Sequence, residues 1–225
     1  MDVEQIRELK KKYIDELYSK TRKEQEEDRD YIDDTFEPGV RTPHKVLRLG
    51  LGYEIVNSPA EQIVTSNPQA FIEIKKDTKG ANDAAIRLSK VVNGWIDILR
   101  RQNPNPFKEC IKNKLGRGES YVKILHNPNE GLPVLFQVPD SMVVYGSPEE
   151  DENGVPAIVL VAYTRQPSDV ILRYPEWTNP KKGEGQKTVE WFEYWSAIQR
   201  YFEADGEAVL QGGIQPNIYG KPPFV

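Results

Sequence analysis

The feature that most constrains the fold is a run of aromatic residues near the end of the chain. Residues 189–194, VEWFEY, place large side chains on both faces of one strand, because successive side chains of a strand point in opposite directions. A second run at 198–202 leads to Asp205 and Gly206, a pair that supplies the positive φ of a tight turn before residues 207–210. The pattern predicts successive antiparallel strands with protein on both faces of the sheet.

The hydrophobic period changes from helical to alternating partway along the chain. A helix is predicted over residues 83–101, and Asn105 with Pro106 starts another that Gly116 closes. After that glycine the period is two, and strands are predicted at 121–125, 134–138, 142–145 and 157–163. Residues predicted to share one face of the long helix are Ala85, Leu88, Val91, Val92, Trp95, Ile96 and Leu99.

This order predicts an α+β fold, with a helical N-terminal half that contains a long amphipathic helix and an antiparallel β-rich C-terminal half. The predicted regions are an extended charged helical arm at 1–35, a helical region at 36–116 and an antiparallel β region at 117–225. Residues 36–225 are expected to form one domain. The arm is expected to leave the globule, because its apolar stripe gives way at 21–30 to TRKEQEEDRD, which has nothing to bury.

Short sequence motifs in the helical region predict two short helices and one strand. Thr42 and Pro43 can cap a short helix that carries Val46, Leu47 and Leu49. Ser58 to Glu61 reads as a capping box with proline at the first helical position, so a helix is predicted from there to about Thr65, before Asn67 and Pro68. Residues 71–75 alternate like a strand.

Composition excludes several classes of protein. The 225 residues contain one cysteine, Cys110, which excludes an internal disulfide and a cysteine-based zinc site. The formal net charge of −5 argues against a protein that grips DNA over a basic surface. No apolar run approaches the length of a membrane span and residues 1–12 lack the apolar core of a signal peptide, so we expect an intracellular protein when it is made.

No motif for catalysis or metal binding is complete. Residues 116–119, GRGE, follow a helix and precede a strand, which is the reverse of a phosphate loop. The acidic run at 149–154 has the spacing of a calcium loop, but Leu160 stands where a bidentate Glu is required, and we interpret the run as a solvated hairpin loop. We therefore predict no enzyme, no cofactor and no metal site.

The loop at 165–187 is too long for a simple hairpin connection, and loops of this length are commonly used for contacts. Trp177 is the first candidate for a subunit interface, with Tyr174 beside it, because large aromatic residues dominate the binding energy of interfaces.

Taken in order, these features resemble the N-terminal half of a tailed-bacteriophage or prophage portal protein. The similarity is carried by the charged N-terminal helix, the short helices around 57–68, the long helix around Trp95, the GESYV segment at 118–122 and the VEWFEYW segment at 189–195. It continues through a second strand to residues 217–225, NIYGKPPFV, and covers about residues 30–225.

The resemblance implies a structural role. Portal proteins form a ring of about twelve identical subunits at one capsid vertex. They contact the capsid, the terminase motor and tail or adaptor proteins, and DNA passes through the ring during packaging and ejection without sequence-specific binding. The region present here resembles the peripheral wing, and the stem and clip of the family lie beyond residue 225.

On the same resemblance, the location is the virion, after assembly in the cytoplasm of a bacterial host, with no membrane. Since the chain would then stop where the wing leads to the stem, Phe224 and Val225 are expected to fray or to pack in a substitute contact.

Two alternatives remain open. A non-viral α+β interaction module could bind a peptide or carbohydrate on its aromatic sheet, and an enzyme could assemble its site from distant positions. A ring with a central hole distinguishes the first interpretation from both, and a concave pocket that gathers carboxylates or a histidine distinguishes the last.

Overall fold

The structure, a computed structural model, describes residues 1–35, 49–65, 69–74, 78–127, 133–152, 154–180 and 187–225. The predicted helix at Thr42 and Pro43, the stop at Asn67 and Pro68, and parts of the loop at 165–187 lie outside these residues. The helices are α1 Val3–Lys11, α2 Ser19–Ile32, α3 Leu51–Thr65, α4 Lys79–Arg100, α5 Pro106–Arg117 and α6 Pro167–Arg173, with a π-helix at Lys12–Leu17 and a 3₁₀ turn at Ser141–Val143.

The strands are β1 Lys123–His126, β2 Val134–Gln137, β3 Val144–Gly146, β4 Ile158–Arg165, β5 Val189–Ser196, β6 Gln199–Ala204, β7 Glu207–Ala208 and β8 Gln215–Pro216. Helices dominate the first half and antiparallel strands the second, so the fold is α+β as the sequence predicts. The chain forms two compact units. The sheet unit comprises Met1–Glu26, Tyr121–Ile124 and Pro139–Val225, and the helical unit comprises Glu27–Ser120 and Leu125–Val138.

The sheet unit is built on an antiparallel sheet with the order β3-β4-β5-β6-β7, in which β8 also pairs with β6. The longest pairing joins β4 to β5, from Ile158 opposite Ser196 to Arg165 opposite Val189. The turn after β6 is confirmed, because Asp205 and Gly206 have φ angles of 49° and 84°. The segment at 142–145 is a strand only from Val144.

The first 26 residues pack on one face of this sheet, which corrects the prediction of an arm that leaves the globule. The apolar stripe is the cause: Ile6 and Tyr13 are buried, together with Tyr145, Leu160, Phe192, Tyr194 and Tyr201 of the sheet. The charged segment also has a role in packing. Arg22 lies over the rings of Tyr18 and Tyr145, at 4.8 and 5.0 Å from their centroids, and donates to the carbonyl oxygen of Val144.

The end of the chain covers the opposite face. Val225 and Val122 exchange backbone hydrogen bonds of 2.8 and 2.9 Å, and Phe224 is fully buried opposite Lys123. Phe224 is therefore packed, whereas the side chain of Val225 is 60% exposed although its backbone is paired. Both faces of β5 are consequently covered within the sheet unit, as the aromatic pattern predicts.

In the helical unit, α3 begins at Leu51 rather than at the predicted capping box, and Pro59 lies inside it. The hydroxyl of Ser58 instead donates to Glu54 one turn earlier, at 3.0 Å. Helix α4 begins after Thr78, whose hydroxyl accepts from the amide of Ala81. The alternating segment at 71–75 forms no strand over its described residues.

Instead, this segment is held against α4 by side chains of that helix. Asn93 bonds both backbone groups of Ala70, and Ser89 accepts from the amide of Ile72. Helix α5 starts as predicted, with Asn105 as its cap and Pro106 as its first residue. Its C-cap is Gly118 at φ 77° rather than Gly116. Gly116 serves close packing, since a Cβ there would lie 3.1 Å from Ile32 Cδ1.

Candidate functional site

The most distinctive polar feature is a buried ion pair within the aromatic core of the sheet unit. Glu193 points to the same face of β5 as Trp191 and Trp195, because the three alternate along the strand. Its carboxylate accepts from the ammonium of Lys123 and from both indole N–H groups, at 3.0 Å for Trp191 and 2.8 Å for Trp195. Lys123 lies 5.3 Å from the ring centroid of Trp195 and 5.6 Å from that of Phe224.

Electrostatics keep this carboxylate ionised. Burial by itself raises the pKa of Glu193, but the charge of Lys123 and the hydrogen bonds from Lys123, Trp195 and Trp191 outweigh it, so the pKa lies below its ordinary value. A buried pair of this kind contributes specificity more than stability, because desolvation cancels most of the attraction. Because Lys123 of β1 binds Glu193 of β5 and also lies over the ring of Phe224, the pair holds β1, β5 and the terminal segment in one arrangement.

A second polar network fixes α1 to the other face of the sheet. Glu203 on β6 accepts from Arg7 at 2.9 Å, from the hydroxyl of Tyr201 at 3.1 Å, and lies 3.7 Å from Lys10. Burial and the nearby Glu203 carboxylate raise the pKa of Tyr201 to about 12. Both networks hold elements of the sheet unit together. The Lys123–Glu193 pair is buried, whereas the Arg7 side chain of the second network is 48% exposed.

The two predicted interface residues follow α6, and Tyr174 is its C-cap. Tyr174 stacks on Trp191 with ring centroids 5.6 Å apart, and burial raises its pKa to about 12. Trp177 is only 6% exposed, so its ring presents little surface to a partner in this arrangement. Its Nε1 is buried and has no hydrogen-bond partner within the part of the chain that the structure describes. Their assignment to a subunit interface stays a prediction.

The acidic loop connects β3 to β4, as expected of a hairpin loop. Asp151 uses its carboxylate to accept from the amide of Val155 at 2.9 Å, and Gly154 takes a φ of 72°. A bridge between Glu150 and Pro156 closes the loop. The carboxylate of Asp151 is thus used for the turn itself.

One pocket among the described residues has a volume of about 420 Å³ and lies beside the start of α5, where Glu109 is the one ionisable residue among prolines, amides and Phe136. Another, of about 280 Å³, is lined by Asp97, Arg100 and Arg101 together with Val64, Thr65 and Asn105. Over the described ranges, no group of three or more His, Cys, Asp or Glu side chains converges as metal ligands would. Nor does any described helix combine the length and apolar character of a membrane span.

The helical unit exposes a large apolar surface. Its described residues bury Val56, Ala60 and Leu99, while eight apolar residues of α3 and α4 are 47–71% exposed. On α3 and α4 these exposed residues are Leu51, Tyr53, Ile55, Ile63, Ile86, Leu88, Val91 and Ile98. Where exposed apolar residues form one patch, they mark interaction sites in soluble proteins. Of the residues predicted to share one face of α4, Leu99 is buried, whereas Leu88 and Val91 are 48% and 47% exposed.

Sequence reasoning missed the pairing of Lys123 with Glu193 and the exposed surface of α4. A signal for the first was present, since Glu193 is a charged residue between two tryptophans on the same face of a strand predicted to be covered on both faces. Its partner lies 70 residues earlier in the chain and could not be identified from spacing.

Comparison with known proteins adds no family assignment. No protein-family model matches this chain, and no curated protein matches it with significance.

Proposed function

We propose that this protein is a structural subunit of a phage head-tail connector, the portal, and that the residues present here form part of its peripheral wing. The observation that carries the proposal is the apolar surface left exposed on α3 and α4 of the helical unit. A ring subunit needs surfaces that neighbouring copies cover, and large exposed apolar areas are the common form of such surfaces.

Two further features support the proposal. The order of elements, with an N-terminal helix, short helices, a long helix and then an aromatic antiparallel sheet, is the order on which the portal resemblance rests. The net charge of −5 suits a conduit for DNA, because a dense basic lining would hold the phosphates that have to slide past.

The alternative of an interaction module that binds ligands on its aromatic sheet is less well supported. The rings of Trp191, Phe192, Tyr194 and Trp195 are buried by other parts of the sheet unit. An aromatic binding platform has to present its rings to solvent, and these rings are already covered.

Electron microscopy of the full-length protein tests the proposal. We expect rings with a central hole, whereas a strictly monomeric full-length protein would contradict it. In the same preparation, Ile55→Asp is expected to reduce the fraction of rings because Ile55 belongs to the exposed surface of α3. Leu172→Asp on α6 is the matched control, since Leu172 is also exposed but lies in the sheet unit.

A further inference from the structure

The surface around Trp191 gathers aromatic and basic residues from separate elements of the sheet unit. Tyr163 of β4 lies opposite Trp191 in the strand register. Arg165 is two residues further along β4 and so points to the same face, and its guanidinium carbon lies 4.7 Å from the centroid of the Trp191 ring. Tyr174, at the end of α6, stacks on the same ring with centroids 5.6 Å apart. Residues of β4 and α6 are thus brought together over one residue of β5.

The charges of Arg165 and Arg173 act on both phenol hydroxyls of this cluster. Burial raises the pKa of Tyr163 above its ordinary value and the pKa of Tyr174 to about 12, and the charge of Glu193 adds to both rises. The two arginines oppose the rise in each case. Because a charge shifts the pKa of a group only at short range, both guanidinium groups lie near both hydroxyls. At neutral pH the two phenols are protonated and can donate hydrogen bonds.

Nearby acidic residues do not cancel the positive charge. The carboxylate of Glu193 is already neutralised by Lys123, with which it forms a buried pair. Glu190 lies three residues before Glu193 on β5 and therefore points to the opposite face of the sheet. Arg200 adds a further positive charge near Tyr174. The surroundings of the two hydroxyls are consequently positive, although the chain as a whole is negative.

The two arginines are available to a ligand. Over the residues that the structure describes, neither Arg165 nor Arg173 forms an ion pair, although Asp169 precedes Arg173 by one turn of α6. Arg173 is exposed and Arg165 is half-buried, so both can be reached from solvent. The ring of Trp191 supports the guanidinium of Arg165 from below. Such a group is already oriented before a ligand arrives.

We propose that Arg165, Arg173 and the hydroxyls of Tyr163 and Tyr174 form a binding site for a single phosphate group. Each guanidinium can donate two parallel hydrogen bonds to phosphate oxygens, and each phenol can donate one. These donors exceed the roughly four acceptor sites of a carboxylate, whereas a phosphate group offers more oxygens and more charge. The ligand is therefore free phosphate or a phosphate monoester.

A nucleic acid fits this surface less well than one phosphate group. The formal net charge of −5 repels a polyanion from the rest of the molecule, and a row of phosphates needs a row of basic residues. The site is also independent of the proposed function, because its residues all belong to the sheet unit whereas the exposed apolar residues of α3 and α4 belong to the helical unit. Phosphate binding and ring formation can each be present without the other.

Isothermal titration calorimetry with inorganic phosphate tests the site. Sodium chloride holds the ionic strength constant, because salt screens exposed charges. Saturable binding is expected with a dissociation constant on the order of 1 mM. Arg173→Gln should raise that constant at least roughly fivefold, whereas Arg87→Gln, at an exposed position of α4, should leave it unchanged. No saturation by about 20 mM phosphate, or equal effects of the two substitutions, would overturn the proposal.

Conservative substitutions test whether the donors act by geometry or only by charge. Arg165→Lys keeps the positive charge but loses the planar pair of donors, and should weaken binding roughly threefold. Tyr163→Phe removes one hydroxyl and should weaken binding roughly twofold. Circular dichroism establishes that each variant is folded. Unchanged affinity in both folded variants would show that the charge alone attracts phosphate, and would contradict the site.

Side-chain NMR locates the bound phosphate independently of affinity. The Nε–H signals of Arg165 and Arg173 should move during the titration, and each is assigned by its loss in the corresponding Gln variant. The signal of Arg87 should stay in place. Equal movement of all three signals would indicate general screening and would overturn the proposal.

Three probes distinguish the source of the phosphate group. Inorganic phosphate, phenyl phosphate and a single-stranded oligonucleotide are compared at equal phosphate concentration and ionic strength. Binding of inorganic phosphate alone assigns the site to the free ion, and equal or tighter binding of phenyl phosphate assigns it to a monoester. Tighter binding of the oligonucleotide than of both small probes, lost in Arg173→Gln, would contradict a site for a single phosphate.

Discussion

The sheet unit and the helical unit satisfy their apolar residues in different ways. In the sheet unit, helix α1 and the terminal segment cover the two faces of one sheet, and the aromatic side chains of β5 and β6 are buried. In the helical unit, α3 and α4 retain exposed Leu, Ile, Tyr and Val side chains. The difference lies in the cores: the aromatic core of the first unit is covered by its own chain, whereas α3 and α4 leave many apolar side chains exposed.

The reason lies in where the covering segments come from. The sheet unit draws its cover from both ends of the chain, and polar networks at Glu193 and Glu203 fix these segments in place. The described helices of the helical unit bury little apolar surface between them. Substitutions that are equivalent in chemistry should therefore have unequal effects in the two units, and this can be measured.

The largest difference is expected for lysines that pair with a carboxylate. Lys123→Met leaves Glu193 as a buried carboxylate without its counter-ion, and should lower the free energy of unfolding by about 3–5 kcal/mol. Lys20→Met is the control because Lys20 is an exposed residue 3.7 Å from Glu24, and its loss should cost about 0.5 kcal/mol or less. Urea denaturation measures both. Equal losses of unfolding free energy in the two variants would show that removing Lys123 costs no more than removing an exposed lysine.

Leucine truncation makes the same comparison for apolar contacts. Leu160→Ala removes a fully buried side chain from the sheet core and should cost about 2–5 kcal/mol, since it leaves a cavity. Leu88→Ala should change the free energy of unfolding by about 0.5 kcal/mol or less in the monomer. The measurement is thermal or urea unfolding at low protein concentration. A large loss for Leu88→Ala would show that α4 is covered within its own chain.

Replacing either of two glycines of the helical unit by alanine should change the free energy of unfolding, with a loss at Gly52 and a gain at Gly94. A Cβ on Gly52 would lie 2.6 Å from the carbonyl oxygen of Tyr31 and 2.8 Å from Ile32 Cα, so Gly52→Ala should cost about 1–3 kcal/mol. Gly94 lies within α4 and has open space around it, so Gly94→Ala should add about 0.5–1 kcal/mol to the monomer. Urea unfolding of the two variants at low protein concentration measures both changes in the free energy of unfolding. A more stable Gly52→Ala variant would refute the close packing at Gly52.

The smallest effect is expected at alkaline pH, in the sheet unit. Burial raises the pKa of Tyr201 to about 12, so the folded state favours the protonated phenol that donates to Glu203. This contribution is complete below about pH 10, the ordinary value for tyrosine, and is lost as pH rises toward 12. Tyrosinate absorbance should show late titration that Tyr201→Phe reduces. Titration of every tyrosine near pH 10 would contradict it.

Local signals predicted much of the architecture. The α+β order, the start of α5 at Asn105 and Pro106, and the turn at Asp205 and Gly206 each follow from residues close in sequence. The predictions were wrong where contacts between residues distant in sequence determine the local structure. Pro59 does not start α3, and the segment at 71–75 binds side chains of α4 instead of forming a strand.

The candidate site was less predictable than the fold. Size and a place in a long loop favour Trp177 and Tyr174 as interface residues, but Trp177 is buried and Tyr174 stacks on Trp191 of its own chain. Leu88 and Val91 belong to the apolar face predicted for α4, and the period of a helix does not reveal how much of that face its own chain covers.

The sequence by itself determined the types and order of the elements and the two-sided aromatic character of β5, since these depend on period and turn chemistry within a few residues. Only the tertiary structure decided that residues 1–26 cover the sheet, that Lys123 neutralises Glu193, and that the Leu88 side of α4 stays open. These outcomes depend on segments that are distant in sequence meeting in space, and the free energy of burial and charge pairing is set by that meeting rather than by any local pattern.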